Sequence, residues 1–238
     1  MEERQYYDVN LGVLKHITSG LKILDLGCGT GLLGYEMRKK GNYVCGLDTS
    51  KKELSIASKK LDSVKEMDIS SNKINLPKDF DVMVLCDVLE HLRDPLSCLK
   101  NFKKFLKPNG KVIISIPNIA CYNMRLGLLL GQFNYKKYGI LDDTHLRFFT
   151  FKTAKKMIGG AGYKIIKVDT TPYFIRPLFH ICKYLVFRNK QDTEVNAKIL
   201  DSKLFSVYKD YIFPLENLVA KLWPGLLAYQ IIIIAKKI

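Results

Sequence analysis

The segment Ile23-Leu24-Asp25-Leu26-Gly27-Cys28-Gly29-Thr30-Gly31-Leu32-Leu33-Gly34 constrains this chain more than any other. A strand-length apolar run ends in three glycines spaced by two and continues into a helical pattern, so it reads as strand, tight loop, helix. Such a unit pairs in a parallel sheet whose faces are covered by helices. The glycines let a ligand approach the backbone, and the helix N-terminus behind them presents free N–H groups.

The rest of the chain repeats the pattern. Strands are expected at Lys22 to Leu26, Tyr43 to Leu47, Val64 to Met67, Phe80 to Cys86, Lys111 to Ile116, Tyr163 to Val168 and Leu226 to Ala235. Between them, helices are expected at Thr30 to Lys40, after a Ser50 to Glu53 capping box with Leu54, Ala57 and Leu61 inward, after the Asp94-Pro95 cap with Leu96, Leu99, Phe102 and Leu106 inward, and at Thr150 to Ile158. The order predicts an α/β fold with a doubly wound, mostly parallel sheet, in one domain spanning 1–238. Two stretches, 118–149 and 173–224, break the alternation on either side of the sixth strand; long connections in compact domains usually serve function, and these are expected to form a lid over an acceptor.

The loop's chemistry narrows its ligand. Asp25 lies two residues before Gly27, where a dinucleotide's pyrophosphate would meet like charge. S-adenosylmethionine carries no phosphate, and its α-ammonium favours a carboxylate. Asp48, at the end of the second strand, is placed to accept hydrogen bonds from both hydroxyls of a ribose.

Asp25-Leu-Gly-Cys-Gly-Thr-Gly31, Asp48, Asp68 and Cys86-Asp-Val-Leu-Glu-His-Leu92 together resemble the class I S-adenosylmethionine-dependent methyltransferases over residues 22–170. That resemblance implies a Rossmann-like sheet of seven strands with the last antiparallel. It implies a cofactor loop at Gly27, Cys28, Gly29 and Gly31, an adenine contact at Asp68 and Ile69, and a methionine-side contact at Cys86 and Asp87. The Asp-Val-Leu-Glu-His-Leu segment is similar to ubiquinone-biosynthesis O-methyltransferases. It lacks the Asn/Asp-Pro-Pro-aromatic tetrapeptide of enzymes that methylate base amines, so nucleic acid is an unlikely partner.

Ser115-Ile-Pro-Asn118, Gly131 to Tyr135, Gly139 to Thr150 and Tyr6-Tyr7 are similar to methyltransferases of surface-glycan gene clusters. This likeness makes Tyr7 and Asn118 candidate substrate-binding residues and points to a small-molecule, glycan or lipid-linked acceptor. A quinone-like phenol at a membrane surface is the alternative acceptor. A non-catalytic, cofactor-binding subunit of a biosynthetic complex is the alternative role.

Methyl transfer to a hydroxyl is helped by a base. His145 is the first candidate, with Asp142 or Asp143 to orient its ring, and His91 the second; fastening the long connection is the structural role open to His145. Arg147 either binds an anionic part of the acceptor or pairs with Asp143. His16 and His180 are expected to be surface or packing residues.

Charge is unevenly spread. Residues 1–90 hold 13 Lys and Arg against 14 Asp and Glu, whereas residues 91–238 hold 25 against 9. The basic part reads either as a solvated lysine surface or as a face for an anionic acceptor. Within it, residues 174–188 have the pattern of a basic amphipathic helix, expected to act as a lid, with peripheral membrane contact as the minority reading. Six cysteines without a C-x-x-C pair indicate neither zinc nor a disulfide framework, and no metal is expected. The absence of an 18-residue apolar run and of a signal-like start points to a cytoplasmic protein.

Overall fold

The computed structural model describes residues 9–71, 75–172 and 206–238. Tyr7, His180 and the expected helix at 174–188 lie outside the described residues. Seven strands form one sheet: β1 (Lys22–Leu26), β2 (Tyr43–Asp48), β3 (Ser63–Glu66), β4 (Phe80–Cys86), β5 (Leu106–Pro117), β6 (Tyr163–Pro172) and β7 (Ala228–Lys237). Their order across the sheet is β3-β2-β1-β4-β5-β7-β6. β1 pairs in parallel with β2 and β4, β4 with β5, whereas β7 runs antiparallel to both β5 and β6. This is the expected seven-stranded arrangement.

Side chains alternate faithfully between the two faces. Leu24, Leu26, Met83, Leu85, Ile114 and Ile233 enter one core, and Ile23, Val82, Val84, Ile113 and Ile232 the other. Both faces are buried, which explains why β4 and β7 read as continuous apolar runs. Helices α2 (Leu32–Lys39), α3 (Lys51–Ala57), α4 (Pro95–Lys103) and α6 (Phe151–Gly160), numbered after a short α1 (Leu11–Leu14), cover them. Ser50, Asp94 and Thr150 cap α3, α4 and α6 by accepting from the backbone N–H three residues on.

Several boundaries differ from the sequence reading. β7 opens at Ala228 rather than Leu226, because Pro224–Leu227 form a helical turn, and β3 is Ser63–Glu66 rather than Val64 to Met67. Leu106, expected on the inner face of α4, instead opens β5 opposite Phe80, and Val82 next pairs with Lys111. Residues 107–110, which precede the expected strand, are therefore an irregularity within β5. Gly159 and Gly160 belong to α6, which ends before Gly162 at φ +81. β6 extends to Pro172, past the expected end.

Beyond β5 the chain forms α5 (Tyr122–Leu129), none of whose residues is buried, and then folds back toward the sheet. Near the C-terminus, α7 (Phe213–Leu222) packs on β6. Asp169 of β6 joins these parts: it meets Lys15 and His16, both at 2.9 Å, and Lys221 of α7 at 3.6 Å. His16 is thus a fastening residue. No helix of the described residues is long and apolar enough to cross a membrane.

Candidate active site

The glycine loop leaves β1 under tight steric control. Gly27 has φ +69, and a Cβ there would stand 2.6 Å from Val88 Cγ2. Gly31, at φ +75, would bring one to 3.1 Å from the Ala57 Cβ. Larger residues would therefore both strain the backbone and fill the crevice. The amides of Gly27 and Cys28 donate to the Leu47 carbonyl at 2.8 and 3.0 Å, and Gly29 donates to Asp48 Oδ2 at 2.9 Å. Asp48 Oδ1 accepts from Ser50 N at 2.9 Å, which fixes the carboxylate at the end of β2.

Asp25 is 2% exposed. Burial, reinforced by the Asp48 charge, pushes its carboxyl up to about 7. A buried acid of this kind beside a bare-backbone loop suits a ligand bearing positive charge and no phosphate. These residues fit S-adenosylmethionine: the loop would let it approach the backbone, Asp48 has lone pairs left for ribose hydroxyls, and Asp25, once ionised, would offset a positive charge.

At the end of β4, Asp87 takes φ +54, the one non-glycine positive φ among the described residues. Such strain persists where surrounding bonds over-determine the conformation. Its carboxylate accepts from Ser115 Oγ at 3.0 Å and Gln230 Nε2 at 2.6 Å, and its N–H donates to the Ser115 carbonyl. Gln230 Oε1 in turn accepts from Asn10 Nδ2 at 2.9 Å and Thr171 Oγ1 at 2.8 Å. Four distant segments thus hold one carboxylate. Sequence reasoning identified Asp87 but missed Asn10, Thr171 and the role of Gln230, because no local pattern marks a network assembled across strands. Cys86 lies beside Asp87, and burial drives its thiol well above the usual range.

The 3₁₀ turn Leu89–His91 follows directly. Glu90 is 1% exposed, and neither carboxylate oxygen has a hydrogen-bond partner. Burial, with the Asp87 charge next, raises its carboxyl well above the ordinary range. The Glu90 carbonyl accepts from the amides of Leu146 and Arg147 at 2.8 and 3.0 Å, drawing the long connection onto the turn. This places His145 Nε2 4.0 Å from Glu90 Oε1, with its ring centroid 4.7 Å from that of His91.

The orientation of His145 differs from expectation. Its Nδ1 meets the Ile140 carbonyl at 2.9 Å, and the carboxylate facing its other nitrogen is Glu90, neither Asp142 nor Asp143. Asp142 is wholly buried and accepts from Thr144 N and Oγ1; Asp143 is exposed, with its amide on the Lys136 carbonyl. Asp143 therefore does not orient His145.

The remaining candidates are spread more widely. Asp68 is exposed and turned onto Ser70, whose bonds hold its carboxyl below the usual range, while Ile69 beside it is buried. Asn118 is wholly buried; Nδ2 donates to the carbonyls of Ala228 and Gly225, and Oδ1 accepts from Ala120 N. Its amide ties β5 to the entry of β7, which leaves it no surface for a substrate. Arg147 is exposed and spends its guanidinium on the Arg93 carbonyl, at 2.7 and 3.3 Å.

Comparison with known proteins agrees with this geometry. Residues 4–168 match a family model described as a methyltransferase domain. The ubiquinone biosynthesis O-methyltransferase of Idiomarina loihiensis is 35% identical over 197 residues, covering 79% of this chain and 78% of that protein. The protein of the same name from Aliivibrio fischeri is 38% identical over 106 residues, and there the match spans 42% of this chain and 45% of the relative. Among solved structures, an S-adenosylmethionine-dependent methyltransferase from Archaeoglobus fulgidus superposes with a TM-score of 0.60 at 19% identity, over 94% of this chain and 89% of the other. At that identity the likeness is one of fold.

Proposed function

The chain belongs to the class I S-adenosylmethionine-dependent methyltransferases, and from that premise we propose that it methylates a hydroxyl of a glycan or lipid-linked sugar. The observation that carries the hydroxyl is the meeting of Glu90, His91 and His145 on the turn whose Val88 packs against Gly27. A hydroxyl needs help in losing its proton, and this cluster gathers a carboxylate and two imidazoles beside the cofactor loop.

S-adenosylmethionine, when bound, supplies a methyl made electrophilic by its sulfonium. The chain's residues do the rest. Gly27 to Gly31 and Asp48 would hold and orient the cofactor, with Asp68 and Ile69 as the candidates for its adenine and Cys86 and Asp87 for its methionine end. Glu90, His91 and His145 face the acceptor. Alignment of this kind is worth about 7–11 kcal/mol of barrier when both reactants are well positioned.

Two features support an acceptor carried on an apolar or anionic group. Leu126, Leu128, Leu129 and Leu130 are more than half exposed in the connection that also brings His145, and residues 91–238 carry 25 Lys and Arg against 9 Asp and Glu. A lipid-pyrophosphate sugar combines both properties. The 35% identity to a ubiquinone-biosynthesis enzyme favours a phenolic acceptor as the second reading.

The test is turnover. Purified protein is incubated with S-adenosylmethionine and separate panels of lipid-linked sugars, free sugars and catechol-like phenols, and products are read by mass spectrometry. A gain of one methylene in a sugar supports the first reading, and a gain only in the phenols the second. Cofactor binding with no product in any panel would support the non-catalytic role.

A further inference from the structure

We propose that Glu90, His91 and His145 form a binding site for one divalent first-row transition-metal ion. Their donor atoms lie within 4.8 Å of one another, contributed by two segments 54 residues apart in sequence. Two imidazoles and one carboxylate form a donor set suited to such ions, with coordination positions left over for an oxygen ligand.

The first argument is the state of Glu90. A buried carboxylate without any hydrogen bond is costly, whether ionised or protonated. The gap of 4.0 Å to His145 Nε2 is too long for a hydrogen bond, so a shared proton does not satisfy the pair at this separation. A metal ion bonds to each partner at about 2.0–2.2 Å and fits between them after a small side-chain adjustment.

The second argument comes from the groups behind the rings. The Ile140 carbonyl accepts from His145 Nδ1, which leaves Nε2 with a lone pair directed toward Glu90. His91 Nδ1 lies 3.1 Å from Thr144 Oγ1, and that hydroxyl donates to the buried Asp142 at 2.6 Å. Each ring thus has a carbonyl or a carboxylate-backed hydroxyl on its Nδ1 side. Metal-binding histidines are held in this way, since the outer partner fixes both the ring and its tautomer. The two amides on the Glu90 carbonyl then lock the segments together. Asp87 is not included, because its carboxylate is engaged by Ser115 and Gln230.

The ion's role rests on the hydroxyl-methylating reading above; its binding does not. An acceptor hydroxyl bound to it becomes more acidic and gives its proton to water. The oxygen then forms its bond to the methyl carbon as the carbon–sulfur bond breaks, leaving S-adenosylhomocysteine. This assignment revises the expectation that no metal is involved.

The experiment uses the full chain stripped with EDTA and desalted, titrated with MnCl₂ and with ZnCl₂. Calorimetry and the loss of the free Mn²⁺ electron paramagnetic resonance signal report binding without recourse to activity. The expected result is one ion per chain, weakened about tenfold or more by Glu90→Gln, with S-adenosylmethionine affinity little changed. His91→Ala, at a partly exposed position, gives the same comparison should Glu90→Gln fail to fold. Stripped protein that binds neither ion, or variants that bind as tightly as the parent, would overturn the site. Metal binding without methyl transfer to any acceptor would leave the site standing and remove the hydroxyl-methylating reading. EDTA-insensitive turnover with no bound ion would do the reverse.

Discussion

Gln230 Nε2 donates to Asp87 Oδ2 at 2.6 Å, joining the last strand to the end of β4 across 143 residues of sequence. The bond holds a non-glycine residue at φ +54, directly before the turn that carries Glu90 and His91. The amide's oxygen is used as fully as its nitrogen, by Asn10 and Thr171.

Gln230→Ala is therefore expected to lower both stability and cofactor affinity. Leaving a buried polar group unsatisfied costs about 1–3 kcal/mol, and Asn10, Thr171 and Asp87 all lose a partner. Urea denaturation measures the first effect and calorimetry with S-adenosylmethionine the second. A wild-type midpoint together with wild-type affinity would show that the network does not govern Asp87.

Asp48→Ala is expected to weaken S-adenosylmethionine at least about tenfold, since a hydrogen bond to a charged group is worth about 1.5–3 kcal/mol. The loss has two sources: the ribose acceptor disappears, and so do the bonds from Gly29 and Ser50 that shape the loop. Unchanged affinity in calorimetry would remove Asp48 from the site.

Gly27→Ala tests the crevice. The new Cβ meets Val88 Cγ2 at 2.6 Å, and an L-residue at φ +69 adds backbone strain of about 1 kcal/mol or more. Cofactor affinity should fall sharply in the single variant and recover in part in Gly27→Ala/Val88→Ala, where the clash is relieved but the strain remains. Equal affinity of single and double variants would show that Val88 does not press on the loop.

The sheet was legible because β4, β7 and the second half of β5 carry apolar runs, and the loop because three glycines follow the run of β1. Boundaries were less legible where one residue suits two roles. Leu106 continues the helical stripe of Leu99 and Phe102, yet pairs with Phe80 as the first residue of β5, and periodicity does not separate these outcomes. The site was half legible. His91 and His145 stand out as two of only four histidines, and Asp48 by its distance from the loop. The partnership of Glu90 with His145 depends on a connection without periodicity folding back onto the turn. Asn118 shows the opposite limit, since its motif suggested a substrate contact while its amide is consumed by backbone carbonyls.

Asp25 is expected to make the candidate cofactor site sensitive to pH. Burial, and then the Asp48 charge, push its carboxyl up to about 7 from the ordinary value of 3.8. The folded state thus binds this proton more tightly than the unfolded chain does. Its contribution to stability is complete below about pH 4 and is lost as pH rises through about 7, for a total of about 4 kcal/mol at most. Asp25→Asn should abolish this component, so that the variant gains stability relative to the parent between pH 5 and pH 8 in urea titrations. Binding has the opposite sign, because the cofactor's ammonium favours the ionised acid. Affinity for S-adenosylmethionine should rise with pH up to about 7 in the parent, with proton release visible when calorimetry is repeated in buffers of different ionisation enthalpy. A pH-independent affinity in the parent, or the same slope in Asp25→Asn, would show that Asp25 does not sense the cofactor's charge.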